Sequence, residues 1–131
     1  MMKNTLLMTL ILSLVLVNTA MASLSEQKVQ EVLDFTKAFI MEESKDSGIF
    51  SLKRPDGKEE QWFELFGILG DIKEVSDSYV VTVDVDVLGY KDQNYLLYFV
   101  VKQDGDGYNL DEIRIGPRFN RKASQKLSIP E

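Results

Sequence analysis

The sequence predicts an α+β fold in which one N-terminal helix packs on a curved antiparallel sheet of about four strands. Apolar residues recur at helical spacing between positions 25 and 44. Between positions 79 and 88 apolar and polar residues alternate, as is typical of a half-buried strand. In the last predicted strand, over 108–116, the apolar positions change parity halfway, which indicates a bulge that curves the sheet.

Residues 1–22 are typical of a secretory signal peptide. Lys3 gives a positive start, residues 6–17 are almost all apolar, and residues 20–22 are Ala-Met-Ala, a small-residue cleavage site. The apolar run is shorter than the ~20 residues that a membrane-spanning helix needs, and no cysteine follows it for a lipid anchor. Cysteines and glycosylation sequons are also absent from residues 23–131. We therefore expect an exported protein without a stable membrane anchor after cleavage, in the periplasm of a Gram-negative bacterium or secreted.

The first element after this segment is predicted to be an amphipathic helix from residue 25 to about 44. Ser25 is a suitable N-cap, and Glu26 lies in the first turn. We expect the helix to end near residues 45–48, where Gly48 can adopt a left-handed conformation. The apolar stripe consists of Val29, Val32, Leu33, Thr36, Phe39 and Ile40.

Four extended segments joined by short connections follow the helix, and they predict an antiparallel meander. The first segment also fits a helix, but we favour a strand because Gly67 and Gly70 would weaken a short helix. A short extended piece at 49–52 and a turn at 55–57 precede it. The predicted strands are 59–69, 79–88, 95–101 and 108–116, with a polar connection at 89–94 and a hairpin turn at 104–107.

The last strand contains a change of parity. Tyr108 and Leu110 share one parity, whereas Ile113 and Ile115 share the other. All four can face the core only if the strand holds one extra residue, so a β-bulge is predicted at Asp111-Glu112. Gly116-Pro117 should end the strand, because proline cannot continue the hydrogen-bonded ladder.

The charge distribution is uneven. Residues 23–131 carry 14 basic and 21 acidic side chains, a net charge of −7. Within them, 23–112 have a net charge of −11 and 113–131 a net charge of +4. An acidic body repels phosphate backbones, so nucleic acid is not an expected partner. We expect the single domain, residues 23–116, to be followed by a basic C-terminal tail, residues 117–131, that folds back onto it.

The side chains needed for common catalytic chemistry are missing. The chain has no histidine and no cysteine, which removes the usual base at neutral pH and thiolate chemistry. Residues 104–107 begin like a calcium loop, but Tyr108 and Asn109 then break the pattern. Asp84 and Asp86 would lie side by side on the wet face of a strand, where solvation is a simpler explanation than metal binding. We therefore expect no catalytic residue, no metal and no cofactor.

Aromatic residues indicate a binding surface. Strand 95–101 is apolar on both faces, and one helix can cover only one of them. The second face requires a cover: the C-terminal tail, a second subunit, a partner or a ligand. The candidate binding residues are Trp62, Tyr98, Arg114, Asp84 and Asp86.

The element order and the predicted bulge resemble the cystatin-like and nuclear-transport-factor-like α+β domains, in which a curved sheet wraps an N-terminal helix. The resemblance covers most of residues 25–116. The inhibitory segment of cystatins is a Gln-x-Val-x-Gly hairpin. Here residues 27–31 contain Gln27 and Val29, but Glu31 replaces the glycine and the segment lies on the predicted helix. The resemblance therefore does not imply protease inhibition.

Several short segments are also similar to small exported bacterial proteins of this layout, a similarity that implies no function. They are residues 56–58, 79–84, 95–101 and 112–115.

These observations favour a non-enzymatic periplasmic module that binds a protein partner, or a second copy of itself, through the exposed sheet face. An acidic inhibitor or immunity-type protein is one concrete form of this hypothesis, since an acidic surface speeds association with a basic partner. The alternative is a small-ligand-binding or weakly hydrolytic domain with a pocket between helix and sheet, which would use Asp84, Asp86 and tyrosines.

Overall fold

The computed structural model describes residues 24–55, 59–119 and 124–130. The predicted signal peptide, residues 1–22, and most of the predicted turn at 55–57 lie outside the described residues. Among the described residues, no helix has both the length and the apolar character needed to cross a membrane.

The fold is α+β, with one helix and a strongly curled antiparallel sheet. The expectation of about four strands understated the sheet, which runs in the order β1-β2-β4-β5-β6-β7, while the short β3 pairs with β4 beyond the end of β2. The elements are α1 (Glu26–Glu43), β1 (Ile49–Lys53), β2 (Glu60–Ile68), β3 (Lys73–Val75), β4 (Ser78–Val87), β5 (Tyr90–Asp104), β6 (Gly107–Ile115) and β7 (Gln125–Leu127).

Helix α1 forms as predicted. The Ser25 hydroxyl accepts a hydrogen bond from the backbone N–H of Lys28 at 3.1 Å, which confirms Ser25 as the N-cap. The buried side of the helix consists of Val32, Thr36 and Ile40. Gly48 has a φ of 78°, the left-handed conformation expected where the chain turns from α1 into β1.

The two outer strands of the sheet meet at one point. The Lys53 N–H at the end of β1 donates to the Ser128 carbonyl at 2.7 Å, and the Ser128 N–H donates back to the Lys53 carbonyl at 3.0 Å. Residues 125–127, predicted as part of a basic tail, therefore form an edge strand that folds back onto the domain. Because the two outer strands meet, the sheet must curl, and the curled sheet wraps around α1.

Bulges in two strands contribute to the curl. Val100 pairs with Glu112 and Val101 with Leu110, so Asp111 is the extra residue and the predicted bulge in β6 is confirmed. A second bulge, which the sequence did not reveal, makes Phe66 the extra residue of β2.

The two faces of the sheet differ in their contacts. The face toward α1 carries the main core, in which Val81, Val83 and Val85 of β4 pack with Val32 and Ile40 of the helix. We call the opposite surface the outer face. It carries the alternate positions of the same strands, beginning with Thr82, Asp84 and Asp86 of β4 and Tyr98 of β5.

The predicted connection at 89–94 is part of a strand. β5 begins at Tyr90, and the turn is confined to Leu88 and Gly89, whose φ is 86°. Polar residues could extend this hairpin because its far end lies in solvent, where alternation with apolar residues is not needed.

Candidate functional site

The five candidate residues all lie on the outer face, but the structure does not bring them all together. Arg114 of β6 and Thr82 of β4 are the direct cross-strand neighbours of Tyr98. Asp84 and Asp86 lie further along β4. Trp62 lies near the start of β2, and its carbonyl accepts a hydrogen bond from the Leu88 N–H at 3.0 Å. This places Trp62 near the end of β4, whereas Tyr98 is paired with Thr82 in the middle of that strand.

The two aspartates share one amide. Asn94, the cross-strand neighbour of Asp86, donates through its side-chain nitrogen to an oxygen of Asp84 and to Asp86 Oδ1 at 3.0 Å. The same nitrogen contacts the Val85 carbonyl at 3.1 Å. Among the described residues, no three acidic side chains come together to hold a metal ion. The pair is thus occupied in a hydrogen-bonded arrangement that ties β4 to β5.

Arg114 anchors the C-terminal segment. Its Nε donates to the Ser124 hydroxyl and its Nη2 to the Ser124 carbonyl, both at 2.7 Å. Its Nη1 pairs with Glu112 Oε1 at 3.3 Å. Because these contacts engage all three guanidinium nitrogens, Arg114 serves mainly to position residues 124–127 beside β6.

Tyr98 is covered by the chain that follows β6. Its side chain is only 5 % exposed, and its ring makes an edge contact with Phe119 at a centroid distance of 5.9 Å. Residues 116–119, which we call the strap, thus cross the outer face over β5. The sequence left four possible covers for this face: the C-terminal tail, a second subunit, a partner or a ligand. Over Tyr98, the cover is the C-terminal segment.

A separate polar cluster ties α1 to the β5–β6 hairpin. The Lys28 ammonium lies 5.9 Å from the Tyr79 ring centroid and 5.5 Å from that of Tyr108, and it donates to Gln103 at 2.7 Å. The Tyr108 hydroxyl donates to Glu31 at 2.8 Å. These contacts hold the first turns of α1 against the sheet, so the cluster serves to dock the helix.

The environments of Tyr98 and Tyr108 predict that the protein loses stability in alkaline solution. Burial raises the pKa of Tyr98, and burial together with a hydrogen bond to Glu31 raises the pKa of Tyr108. Folding thus favours the neutral phenols, and the stability they contribute below the unfolded pKa of about 10 is lost as the pH rises through the folded pKa values. We expect the free energy of unfolding, measured in urea, to fall steadily above about pH 10.

Two variants test this pH dependence. Tyr98→Phe should flatten the decline, whereas Tyr90→Phe should leave it unchanged, because Tyr90 is exposed. Absorbance at 295 nm reports phenol ionisation in each variant. Equal profiles for Tyr98→Phe and the parent would contradict the assignment to Tyr98.

The β2 side of the outer face is open to solvent. Trp62 is 48 % exposed and Phe66 is 75 % exposed, and both lie on this face of β2 with Glu64 between them. We call Trp62, Glu64 and Phe66, with the neighbouring Asp84 and Asp86, the acidic patch. Phe66 was not among the candidate residues, although it shares the parity of Trp62 and Glu64, and this alternation is the sequence signal that could have placed it on the same face.

Comparisons of this chain with protein-family models, with curated proteins and with solved structures find no match. The acidic patch offers apolar side chains next to carboxylates on an open surface, a combination suited to binding.

Proposed function

We propose that this protein is an exported, non-enzymatic module that binds a protein partner in the cell envelope through the acidic patch. The observation that carries the proposal is the exposure of two large aromatic side chains, Trp62 and Phe66, on one face of one strand. Contiguous exposed apolar surface is uncommon on monomeric proteins and typically marks an interaction site. Tryptophan is also enriched among the residues that dominate binding energy.

The surrounding charge favours a basic partner. Glu64 is the cross-strand neighbour of Asp86, so Glu64, Asp84 and Asp86 form a continuous acidic rim beside the aromatic side chains. The net charge of −11 over residues 23–112 extends this field. Such a surface accelerates association with a cationic protein. An inhibitor or immunity-type protein that covers a basic toxin or hydrolase is a concrete form of the proposal.

The same rim disfavours a homodimer through this patch. In a two-fold symmetric dimer the patch would face a second copy of itself, which places carboxylates of like charge together. A different protein as partner therefore fits the patch better than a second copy.

The alternative function, a pocket between helix and sheet that uses Asp84 and Asp86, is not favoured by the positions of these residues. Both aspartates lie on the outer face, whereas the side chains that contact α1 are the intervening valines. A helix-side pocket would have to do without them.

The test is site-specific photo-crosslinking in the envelope of the native host. A photoreactive residue at position 66 should form a discrete crosslinked species, whereas the same residue at position 38, exposed on α1, should not. Native mass spectrometry then gives the mass of the partner. Trp62→Ala and Phe66→Ala should each weaken its capture about tenfold or more.

A matched control is Leu88→Ala, which removes an exposed apolar side chain beside Trp62 at a turn. We expect a smaller loss of partner capture for this variant, because Leu88 lies at the edge of the acidic patch rather than within it. Equal crosslinking at positions 66 and 38, or unchanged capture by both aromatic variants, would refute the proposal.

A further inference from the structure

A second feature of the outer face lies next to the acidic patch, since Leu96, which lines it, is the cross-strand neighbour of Asp84. A groove of about 520 Å³ runs between β3 and the strap. Its floor is formed by Val80 of β4 and by Leu96 and Tyr98 of β5, and Val75 and Phe119 form its walls. This size is within the range of sites for small organic ligands, and such sites are mostly apolar with a few polar groups.

The floor of this groove carries an unused hydrogen-bond donor. The Tyr98 side chain is 95 % buried, yet its hydroxyl makes no hydrogen bond to any described residue. No polar side-chain atom among the described residues is both sealed from solvent and unpartnered, so this hydroxyl keeps access to the groove. A buried phenol normally finds a partner. A ligand atom that accepts a hydrogen bond would supply one.

The lining of the groove also carries two cations, Lys73 and Arg118. Neither Lys73 nor Arg118 forms an ion pair or hydrogen bond with another described residue. Lys73 lies directly across from Val80 on the outer face. One carboxylate, Asp71, also lines the groove, which leaves an excess of positive charge there in a chain whose body is strongly acidic.

A neighbouring groove provides an internal comparison. On the far side of Phe119, the cations that line a groove of about 610 Å³ are Lys102 and Arg114. Lys102 lies 3.9 Å from Asp111, and Arg114 pairs with Glu112 at 3.3 Å. Among the described residues, the cations on this side of Phe119 are thus paired with carboxylates, whereas Lys73 and Arg118 on the other side form no ion pair.

We propose that the groove between β3 and the strap binds a small anionic amphiphile, a carboxylate attached to an apolar chain. The carboxylate accepts from the Tyr98 hydroxyl and is attracted by Lys73 and Arg118, while the chain lies on Val75, Val80 and Leu96. Charge complementarity selects this ligand class over a neutral or cationic one. The site shares no residue with the acidic patch and does not depend on the proposed protein partner.

The experiment is isothermal titration calorimetry of the purified exported protein with dodecanoate, below its micelle concentration and at low salt. Dodecanol and dodecyltrimethylammonium serve as neutral and cationic probes of equal chain length. We expect dodecanoate to bind at least about tenfold more tightly than either. Amide shifts in NMR spectra should be confined to β3, the middle of β5 and the strap.

Three variants locate the ligand. The double variant Lys73→Gln/Arg118→Gln should weaken dodecanoate binding roughly five- to tenfold, and Tyr98→Phe about tenfold. Lys102→Gln removes a cation of the neighbouring groove and should leave the affinity within about twofold of the parent. Because Lys73 and Arg118 are both exposed, their replacement should not disturb folding.

Several results would overturn this assignment: no dodecanoate binding at millimolar concentration, equal affinity for dodecanol, shifts confined to α1, or equal losses in Lys102→Gln and the double variant. Trp62→Ala should leave dodecanoate affinity unchanged. Failure of this groove therefore remains distinguishable from failure of the proposed protein interaction.

Discussion

Replacing Phe99 with alanine is expected to lower the free energy of unfolding by about 3–5 kcal/mol. Phe99 lies near the middle of β5 on the face toward α1, is 1 % exposed, and makes an edge contact with Phe39 of the helix at a centroid distance of 6.1 Å. Its ring fills the space between helix and sheet, so truncation loses apolar burial and leaves a cavity beside α1. Urea unfolding at neutral pH, followed by far-UV circular dichroism, measures the change.

Phe66→Ala is the matched control. It makes the same chemical change on a strand of the same sheet, but the side chain faces solvent, so we expect a loss below about 0.5 kcal/mol. Similar losses in the two variants would mean that the two faces of the sheet have been assigned incorrectly. The contrast also bears on function, because a residue that contributes little to stability can be tested for binding without unfolding the protein.

The regular parts of the fold could be predicted because their signals are local. The helical stripe and the N-cap at Ser25 define α1, and the alternation in β4 defines which of its residues are buried. The bulge at Asp111 followed from the parity of four apolar residues in one strand. Each of these patterns is contained within a single element, so none of them required knowledge of its neighbours.

The closure of the sheet could not be predicted, because it depends on contacts between distant segments. β7 is only three residues long and shows no alternation, and it becomes a strand because Arg114 binds Ser124 and because Ser128 pairs with Lys53. The start of β5 was also missed, since its polar residues extend a hairpin in solvent. Short or polar strands owe their structure to pairing rather than to their own sequence.

The candidate site was predictable where it depends on local alternation and not where it depends on contacts between distant segments. Parity alone placed Asp84 and Asp86 on the wet face of β4. Tyr98 and Arg114 are neighbours only because of the register between β5 and β6, which the bulge at Asp111 shifts by one residue. Lys73 and Arg118 are 45 positions apart. They line one groove only because the strap returns across the outer face toward β3.

Deleting Asp111 is expected to lower the free energy of unfolding by about 2–4 kcal/mol, because the two apolar side chains that must turn outward, Tyr108 and Leu110, are only partly buried. Without the extra residue, Tyr108 and Leu110 cannot face the core together with Ile113 and Ile115, because side chains alternate with a period of two. One pair must turn outward, and each large apolar side chain contributes about 1.5–3 kcal/mol when it is buried. We expect Tyr108 and Leu110 to turn outward, since Ile113 and Ile115 are the more buried pair and lie beside β7.

The variant Asp111→Ala distinguishes the effect of the extra residue from the effect of the aspartate side chain. This variant keeps the extra residue and removes only the exposed pairing with Lys102 at 3.9 Å, so we expect a change of less than about 1 kcal/mol. Hydrogen exchange should then show that the deletion exposes amides in the hairpin of β5 and β6, while the alanine variant retains the protection of the parent. A deletion variant as stable as the parent would show that the sheet can absorb the register shift elsewhere, and the bulge would then not be what allows both apolar pairs to face the core.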